Sequence, residues 1–246
     1  MAPFYTVPGK LNRKVGRAMH DFRMFSAGDR ILVAVSGGID SLVLAALLVQ
    51  WQKKAPIDFS LLACHIDHGF WQGQQGPPAE TIGEQLRLFG LGLMVFREWQ
   101  LSSSPRTCFS CSRNRRSQLF TLARSEGCNK IAFGHHQDDL IETFFLNAVY
   151  SGNISTMLPK QDIFSATLSL VRPMAYLSKE DVASLGKAWR LTGIPNLCPL
   201  VVDTRREKIR AMLGRLFAEE PGARSSLFAA LGNVREEYLL GSCRQS

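Results

Sequence analysis

The stretch that decides the fold is Ile31-Leu32-Val33-Ala34-Val35, which runs directly into Ser36-Gly37-Gly38-Ile39-Asp40-Ser41. The first five residues are all apolar and mostly β-branched, which is typical of a strand covered on both faces. A helix from Asp40 to about Lys53 follows without a separate loop. The two glycines between them let the backbone turn tightly and bring its N–H groups close to a ligand.

This junction predicts a phosphate site. The free amides and positive dipole end of the helix favour an anion, and the hydroxyls of Ser36 and Ser41 can donate to phosphate oxygens. The spacing is neither that of Walker A nor that of the Gly-x-Gly-x-x-Gly dinucleotide fingerprint. A plain strand–turn–helix with an Asp/Ser cap is the alternative. We favour phosphate binding because the complete hexapeptide follows a buried strand.

Apolar runs alternate with helical patterns along the rest of the chain. Further strands are predicted at 59–66, 93–96, 130–133 and 168–171, and helices at 10–24, 79–89, 111 onward, 137–150, 179–191, 204–217 and 224–240. The alternation predicts an α/β fold, a Rossmann-like parallel sheet with helices on both faces. We expect a basic N-terminal helix (1–28), a phosphate-loop domain (29–178) and a helical C-terminal region (179–246).

Polar clusters follow three of these strands, at 36–41, 65–69 and 134–139. Ligands of such sheets bind at the carboxyl ends of the strands, so we expect the three clusters to converge. Asp138 and Asp139 stand at a helix start and offer the oxygen ligands that Mg²⁺ prefers. Helix capping by acidic residues is the alternative.

Composition limits the class of protein. The 246 residues suffice for one large domain with its own core, and the longest apolar run, Leu42 to Val49, is too short to span a bilayer. The N-terminus has no apolar signal core, so a cytoplasmic location is expected. The net charge of +8 suits a polyanionic partner such as nucleic acid, although a solvated basic surface would give the same value.

Two of the six cysteines form Cys108-Phe109-Ser110-Cys111 at the mouth of a helix, where the dipole favours thiolates. This spacing alone is compatible with zinc, an iron–sulfur cluster or a redox pair. Cys198 is a candidate third ligand. Cys64 and Cys128 lie in or beside strands and are predicted core residues, and Cys243 lies in the C-terminal tail.

The hexapeptide 36–41 resembles the signature of PP-loop enzymes, which split ATP between the α- and β-phosphates. Gly134-His135-His136-Gln137-Asp138-Asp139 resembles a second element of that group, and the segment 65–69 is similar to the one that borders adenine. The resemblance implies an adenine nucleotide alpha hydrolase-like fold. The nucleotide-binding residues that it implies are Ser36, Gly37, Gly38, Asp40, Ser41, His65, Asp67, Gly134, Asp138 and Asp139, with Mg²⁺ at the last two.

Residues 108–119 resemble the TtcA family, which makes 2-thiocytidine in tRNA. The similarity extends to Gly28-Asp29-Arg30, to 134–147 and to 171–176. It implies a [4Fe-4S] cluster on three cysteines, which by position are Cys108, Cys111 and Cys198. With Asp40 they make the predicted catalytic set. The chain departs from the family pattern at Ile39, where a lysine is common, and at Val201, where a further cysteine is common.

The partners that follow from this resemblance are tRNA, a sulfur donor (a cysteine desulfurase or sulfide) and a second copy of the chain in a homodimer, with no membrane. Basic residues beside the cysteines support the RNA prediction, because Lys and Arg position RNA through its phosphates. The predicted RNA-binding residues are Arg113, Arg115, Arg116, Arg205 and Arg206, with Lys208 and Arg210 nearby.

The sequence thus predicts tRNA thiolation, in which a base carbonyl oxygen is adenylated with loss of pyrophosphate and sulfur then replaces AMP. One alternative is a PP-loop ligase that delivers nitrogen, such as a lysidine-forming enzyme, which would not need the three cysteines. The other is a nucleotide-binding sensor without catalysis.

Overall fold

The computed structural model describes residues 5–69, 78–100, 107–195, 198 and 205–240, without the side chain of Cys108. Residues Val201 and Cys243 lie outside this description. The elements in chain order are α1 (Gly9–Asp21), β1 (Arg30–Ala34), α2 (Ile39–Gln52), β2 (Ser60–Asp67), α3 (Pro78–Arg87), β3 (Leu93–Arg97), α4 (Cys108–Ser125), β4 (Lys130–Ala132), α5 (Gln137–Ser151), β5 (Lys160–Ile163), β6 (Leu168–Val171), α6 (Lys179–Ala188), α7 (Arg205–Glu219) and α8 (Ala223–Ala230).

Six strands form one sheet in the order β3-β2-β1-β4-β6-β5. Neighbours from β3 to β6 run parallel, and only the edge strand β5 pairs antiparallel, with β6. The predicted α/β fold is confirmed. Strand β5 was missed because Lys-Gln-Asp-Ile carries almost no apolar signal and only its ends are half-buried.

Helices cover both faces of the sheet, as predicted. Ile31 and Val33 of β1 belong to the core cluster that contains α1, α2, α3 and α6, whereas Leu32 packs with Leu119 and Ala123 of α4. Successive side chains of a strand point to opposite faces, so β1 separates the two clusters. Helix α2 is buried at every position from Ser41 to Val49, as expected of a helix enclosed by the core.

The chain divides into two units. The sheet unit contains Met1–His136 and Leu158–Val202, and the helical unit contains Gln137–Met157 and Asp203–Ser246. In the helical unit α5, α7 and α8 pack around Ile141, Ile209 and Leu213.

The single helix predicted at 224–240 is wrong. Helix α8 ends at Ala230 and a short 3₁₀ turn follows at Glu236–Tyr238. The turn-forming pair Gly232-Asn233 lies between them and is compatible with this break. None of the helices in the described ranges combines the length and the apolar character that a membrane crossing requires.

Candidate functional site

The loop between β1 and α2 has the geometry that a phosphate site requires. Gly37 adopts φ +91°, a conformation that other residues rarely take. The hydroxyl of Ser41 donates to the carbonyl of Gly38 at 2.7 Å and accepts from the backbone N–H of Ser36 at 3.2 Å. These bonds close the loop on itself, while the hydroxyl of Ser36 lies on the exposed surface.

Helix α2 begins directly at this loop. Gly38 is its N-cap and provides no side-chain hydrogen bond to the first turn. The first-turn N–H groups of a helix have no intrahelical acceptor, and they carry the positive end of the dipole. The loop therefore presents amides and the Ser36 hydroxyl, which is a donor set suited to phosphate oxygens.

The element that follows β4 meets this loop. Gly134 comes so close to the start of α2 that a Cβ atom on it would lie 3.0 Å from the carbonyl carbon and oxygen of Asp40. Nε2 of the buried His136 lies 3.9 Å from Oδ2 of Asp40. The predicted convergence of these two clusters is confirmed within the sheet unit, and parallel pairing of β1 with β4 causes it.

The third cluster follows β2, on the other side of β1. His65 is buried, and its Nδ1 hydrogen-bonds the carbonyl of Val35 at 2.8 Å, which joins β2 to the residue before the loop. Burial lowers the pKa of His65, so the ring is held neutral. Asp67 accepts the N–H of Gly69 at 2.8 Å, and its carboxylate thereby shapes the turn after β2.

His68 is tied to the end of β3. Its Nδ1 lies 3.2 Å from Oε1 of Glu98, and burial, followed by the nearby Arg115, lowers the pKa of His68. This contact connects the turn after β2 to the residue that follows β3.

Asp138 and Asp139 open α5 in the helical unit. Asp138 is buried, and its Oδ1 lies 3.0 Å from Nε of Arg224 on α8. Asp139 is half-buried. Mg²⁺ is usually held by one or two carboxylates together with substrate phosphates, so carboxylates in this number fit the ion without a cage of protein ligands. Across the described ranges, no group of three or more His, Cys, Asp or Glu side chains is placed to hold a metal ion.

The cysteine pair occupies the first turn of α4. The helix begins at Cys108, three residues earlier than the sequence pattern placed it, because Thr107 is an N-cap that forms a reciprocal capping box with Ser110. Cys111 is buried and Cys198 is half-buried, both in the sheet unit, while the side chain of Cys108 lies outside the description. Thiols in the first turn of a helix are favoured as thiolates, which are the ligands of iron–sulfur clusters, so the donor chemistry fits such a group.

Two other cysteines belong to the core, as predicted. Cys64 and Cys128 are both buried in the cluster beneath α4. Burial raises the pKa of Cys64 to about 12 and also raises that of Cys128. Such thiols are poor nucleophiles and poor metal ligands at neutral pH.

Residues 9–213 match the family model of the PP-loop domain. A tRNA-cytidine(32) 2-sulfurtransferase of Anaeromyxobacter dehalogenans is 40% identical over an alignment of 248 positions, which covers 98% of this chain and 84% of the relative. The chain is a member of the TtcA family of PP-loop enzymes. Another TtcA-type enzyme, from Ralstonia pickettii, is 36% identical over 96% of this chain and 76% of its own length.

Solved structures agree with this fold. The U34-tRNA thiolase NcsA from Methanococcus maripaludis, determined with its [4Fe-4S] cluster, superposes with a TM-score of 0.70 at 18% identity and covers 91% of this chain and 79% of its own. The NAD⁺ synthetase of Burkholderia pseudomallei superposes with a TM-score of 0.50 at 16% identity, over 86% and 83% of the two chains. At these identities the likeness concerns the fold.

At Ile39 the structure accounts for the departure from the TtcA-family lysine. The side chain lies against α6, since a Cβ on Gly186 would be 2.7 Å from Cδ1 of Ile39. A Cβ on Gly193 would be 2.9 Å from the Ile39 backbone nitrogen. Ile39 therefore packs against the hydrophobic core, and the loop carries no cationic side chain at that position.

The predicted RNA-binding arginines fall into two groups in this TtcA-family chain. Arg113 and Arg116 are exposed on α4 and Arg115 is half-buried. On α7, Arg205 lies over the ring of Tyr150 at 4.9 Å. Nη1 of Arg206 lies 3.3 Å from the carboxylate of the buried Glu142.

Glu142 also binds Arg210 through two hydrogen bonds, of 2.9 and 3.1 Å, and this contact raises the pKa of Arg210. Arg206 and Arg210 thus contribute to the packing of the helical unit, whatever their role toward RNA.

Two residues of α4 that the sequence did not single out, Gln118 and Asn114, hydrogen-bond the chain at and just after the end of β3. Gln118 of α4 accepts from the N–H of Trp99 at 3.1 Å and donates to the carbonyl of Arg97 at 2.8 Å, and Asn114 donates to the carbonyl of Trp99 at 2.9 Å. These bonds fix the first half of α4, which carries the cysteine pair, at the end of β3. Amide side chains have no periodic signature, so no pattern in the sequence marks them.

Proposed function

We propose that this chain is an ATP-dependent tRNA sulfurtransferase that converts a cytidine of tRNA into 2-thiocytidine. The observation that carries the proposal is the 40% identity to a tRNA-cytidine(32) 2-sulfurtransferase across 98% of the chain. The geometry of the loop 36–41 supports the use of ATP. The positions of Cys111 in the first turn of α4 and of the half-buried Cys198 support sulfur chemistry.

In the first step, the O2 carbonyl oxygen of the base attacks the α-phosphate of ATP. The bond between the α-phosphorus and the bridging oxygen breaks, and pyrophosphate leaves with the electron pair. The first-turn amides of α2 and the hydroxyl of Ser36 bind the phosphate oxygens on which charge accumulates, while the Ser41 hydroxyl holds the loop through its bond to the carbonyl of Gly38. Fixed donors of this kind are effective because they need no reorganisation during the reaction.

Asp138 and Asp139 would hold Mg²⁺, and Asp40 at the start of α2 is likewise a candidate ligand for a cation beside the phosphates. The carboxylate of Asp40 is 44% exposed and therefore accessible to an ion. Arg224 binds one oxygen of Asp138 and so orients this carboxylate. The bound ion would neutralise phosphate charge.

In the second step, hydrosulfide attacks C2 of the adenylated base and loses its proton. The C2–O bond then breaks, and AMP leaves with the oxygen. Cys108, Cys111 and Cys198 are the thiolates that would hold a [4Fe-4S] cluster, the group that NcsA carries. When bound, such a cluster supplies an iron with a free position for the incoming sulfur. The chain's own contribution is the first turn of α4, which favours thiolates and is anchored by Gln118.

The tRNA would be positioned by the exposed Arg113 and Arg116 with Arg115, and by Arg205 and Arg206. A base in a loop can be turned into the pocket without melting a helix. Sulfide would supply the sulfur, either directly or from a cysteine desulfurase whose persulfide sulfur a thiol reductant reduces to sulfide. We also propose a homodimer and a location in the cytoplasm, where tRNA and ATP are available.

The test is anaerobic incubation of the iron- and sulfide-reconstituted chain with ATP, Mg²⁺, sulfide and total tRNA, followed by mass spectrometry of the nucleosides. We expect 2-thiocytidine and one pyrophosphate for each thiolated base. A colourless protein without iron after reconstitution would contradict the proposal, and lysidine formed in a parallel incubation with lysine in place of sulfide would establish the ligase alternative. Nucleotide binding without pyrophosphate release with any RNA would indicate a sensor.

A matched pair of variants sharpens this test. Cys198→Ala should retain the fold and lose 2-thiocytidine formation. Cys64→Ala removes a core thiol and should retain it.

A further inference from the structure

The segment 191–195, which we call the strap, connects the end of α6 to Cys198. Helix α6 ends where Arg190 adopts φ +55°, and the N–H of Leu191 donates to the carbonyl of Gly186 at 2.9 Å. This is the usual hydrogen bonding of a left-handed helix end, and it fixes the direction in which the strap leaves α6.

Gln85 of α3 holds the strap at Thr192. Its side chain accepts the N–H of Thr192 at 2.7 Å and donates to the carbonyl of the same residue at 3.0 Å. One amide side chain thus satisfies both backbone groups of one residue, as a neighbouring β-strand would. The two residues are 107 positions apart in the sequence, so this hydrogen bond is a tertiary contact that links α3 to the strap.

The next two residues of the strap lie on the PP-loop itself. The N–H of Ile194 donates to the carbonyl of Gly37 at 2.9 Å. Gly193 comes so close to the loop that a Cβ on it would lie 2.9 Å from the backbone nitrogen of Ile39. The amide of Ile39 belongs to the first turn of α2, which is the turn that binds phosphate under the proposed function.

Cys198 follows Ile194 by four residues. Four residues span at most about 14 Å of extended chain. The thiol proposed as the third cluster ligand is therefore tethered close to the backbone of the phosphate loop, through a segment that is itself hydrogen-bonded to that loop.

We infer that Gln85 and Gly193 are positioning residues which hold the strap on the PP-loop, so that nucleotide binding and the environment of Cys198 are coupled. A phosphate that orders the loop 36–41 also orders the strap, and the strap in turn restrains the thiol of Cys198. The inference rests on the proposed function for the roles of ATP and Cys198. Coupling of this kind is reciprocal, so the state of Cys198 also alters the affinity for nucleotide.

The first test compares two glycines that face the same residue. In Gly193→Ala the new methyl group meets the backbone of Ile39, so the loop itself must move. We expect the Kd for α,β-methylene-ATP to rise about tenfold, because displacing a positioned group by up to 1 Å can have an effect of up to about 10². In Gly186→Ala the methyl group meets Cδ1 and Cγ1 of the Ile39 side chain, at 2.7 and 2.9 Å, and no backbone atom of the loop. That variant should bind the analogue within about twofold of wild type.

A second substitution keeps this comparison decisive. Adding Ile39→Ala, which removes both Cγ1 and Cδ1, should relieve any defect of Gly186→Ala and leave the defect of Gly193→Ala unchanged. Rescue of Gly193→Ala by Ile39→Ala would overturn the inference, since the close contact would then involve the outer side chain and not the loop backbone.

The second test measures the coupling directly. The full-length chain, prepared without iron, is treated with N-ethylmaleimide with and without saturating α,β-methylene-ATP, and the modification rate of Cys198 is read by peptide mass spectrometry. We expect the analogue to slow modification severalfold in wild type and in the control Gln52→Leu, which loses a side-chain bond to the carbonyl of Phe59 away from the loop. In Gln85→Leu, at saturating analogue, the slowing should be lost.

The outcomes separate this inference from the proposed function. If wild type does not bind the analogue, the proposed function fails. If it binds but the rate at Cys198 does not change, or if Gln85→Leu retains the full effect, the coupling through the strap is refuted while the proposed function stands.

Discussion

The main-chain carbonyl group of Asp40 lies where a side chain on Gly134 would begin, since a Cβ on that glycine would be 3.0 Å from its carbon and its oxygen. The end of β4 and the start of α2 are thus in backbone contact, and a larger residue at position 134 would force one of them to shift. The Gly-His-His element therefore packs against the start of α2, where Nε2 of His136 also lies 3.9 Å from Oδ2 of Asp40.

This contact predicts that Gly134→Ala impairs catalysis. The methyl group must displace the first turn of α2 by a few tenths of an ångström, and we expect kcat/KM for ATP to fall about tenfold. Pyrophosphate release with tRNA measures the effect. Gly92→Ala is the control, because a Cβ there meets no atom within 4 Å. Equal activity of the two variants would show that the approach is not functional.

Asp40→Asn should lower turnover without loss of stability. The carboxylate is 44% exposed and is not part of the core, so its neutralisation should leave the Tm nearly unchanged. Removal of a metal-binding charge beside the phosphates should reduce kcat by at least about tenfold. Asp21→Asn, which changes a carboxylate bonded to Tyr176, is the matched control and should retain full turnover. A Tm loss in Asp40→Asn comparable to its activity loss would indicate a structural role.

Thiol reactivity should separate the cysteines into two classes. Because burial raises the pKa of Cys64 to about 12, iodoacetamide at pH 8 should leave Cys64 unmodified in the native chain, while the half-buried Cys198 of the iron-free chain reacts. Peptide mass spectrometry measures this. Modification of Cys64 at the same rate as Cys198 would contradict the assignment of Cys64 to the core.

The stability of the protein should fall in mild acid because of His65. Burial lowers its pKa below the ordinary value of 6.5, so the unfolded chain binds a proton that the folded chain does not. The contribution is complete above about pH 6.5 and is lost as the pH falls from that value towards the pKa of the folded state. Thermal melts between pH 7.5 and 5 should show this, with a smaller slope in His65→Asn, whose amide can still donate to Val35.

His20→Asn is the control for this slope, because the His20 side chain is 91% exposed. The same pH dependence in His65→Asn as in wild type would assign the effect to another group, of which His68 is the first candidate, since its pKa is also lowered.

Salt titrations should distinguish RNA-binding arginines from structural ones. Arg113→Ala and Arg116→Ala, on the exposed side of α4, should each reduce the slope of log K against log salt by about 1 and leave the Tm unchanged. Arg206→Ala removes a partner of the buried Glu142 and should lower the free energy of unfolding by about 1 kcal/mol. An unchanged salt slope in all three variants would remove these residues from the tRNA interface.

Much of the fold followed from local pattern. The apolar runs of β1 to β4 and β6 are long enough to be recognised, and the position of the clusters at strand ends follows from parallel order. Strand β5 could not be predicted, because an edge strand with two exposed central residues has no apolar run. The contact of Arg206 with the buried Glu142, 64 positions away, could not be predicted either, because the burial of Glu142 depends on which helices become neighbours.

The sequence by itself determined the phosphate loop and its class of chemistry, because glycines, hydroxyls and a helix start within six residues form a site through local geometry alone. Only the tertiary structure decided how that loop is held. Gly134 against Asp40, Gly193 against Ile39 and Gln85 on Thr192 are contacts between residues far apart in the chain. Such contacts depend on which strands and helices become neighbours in the folded sheet, so no local pattern records them.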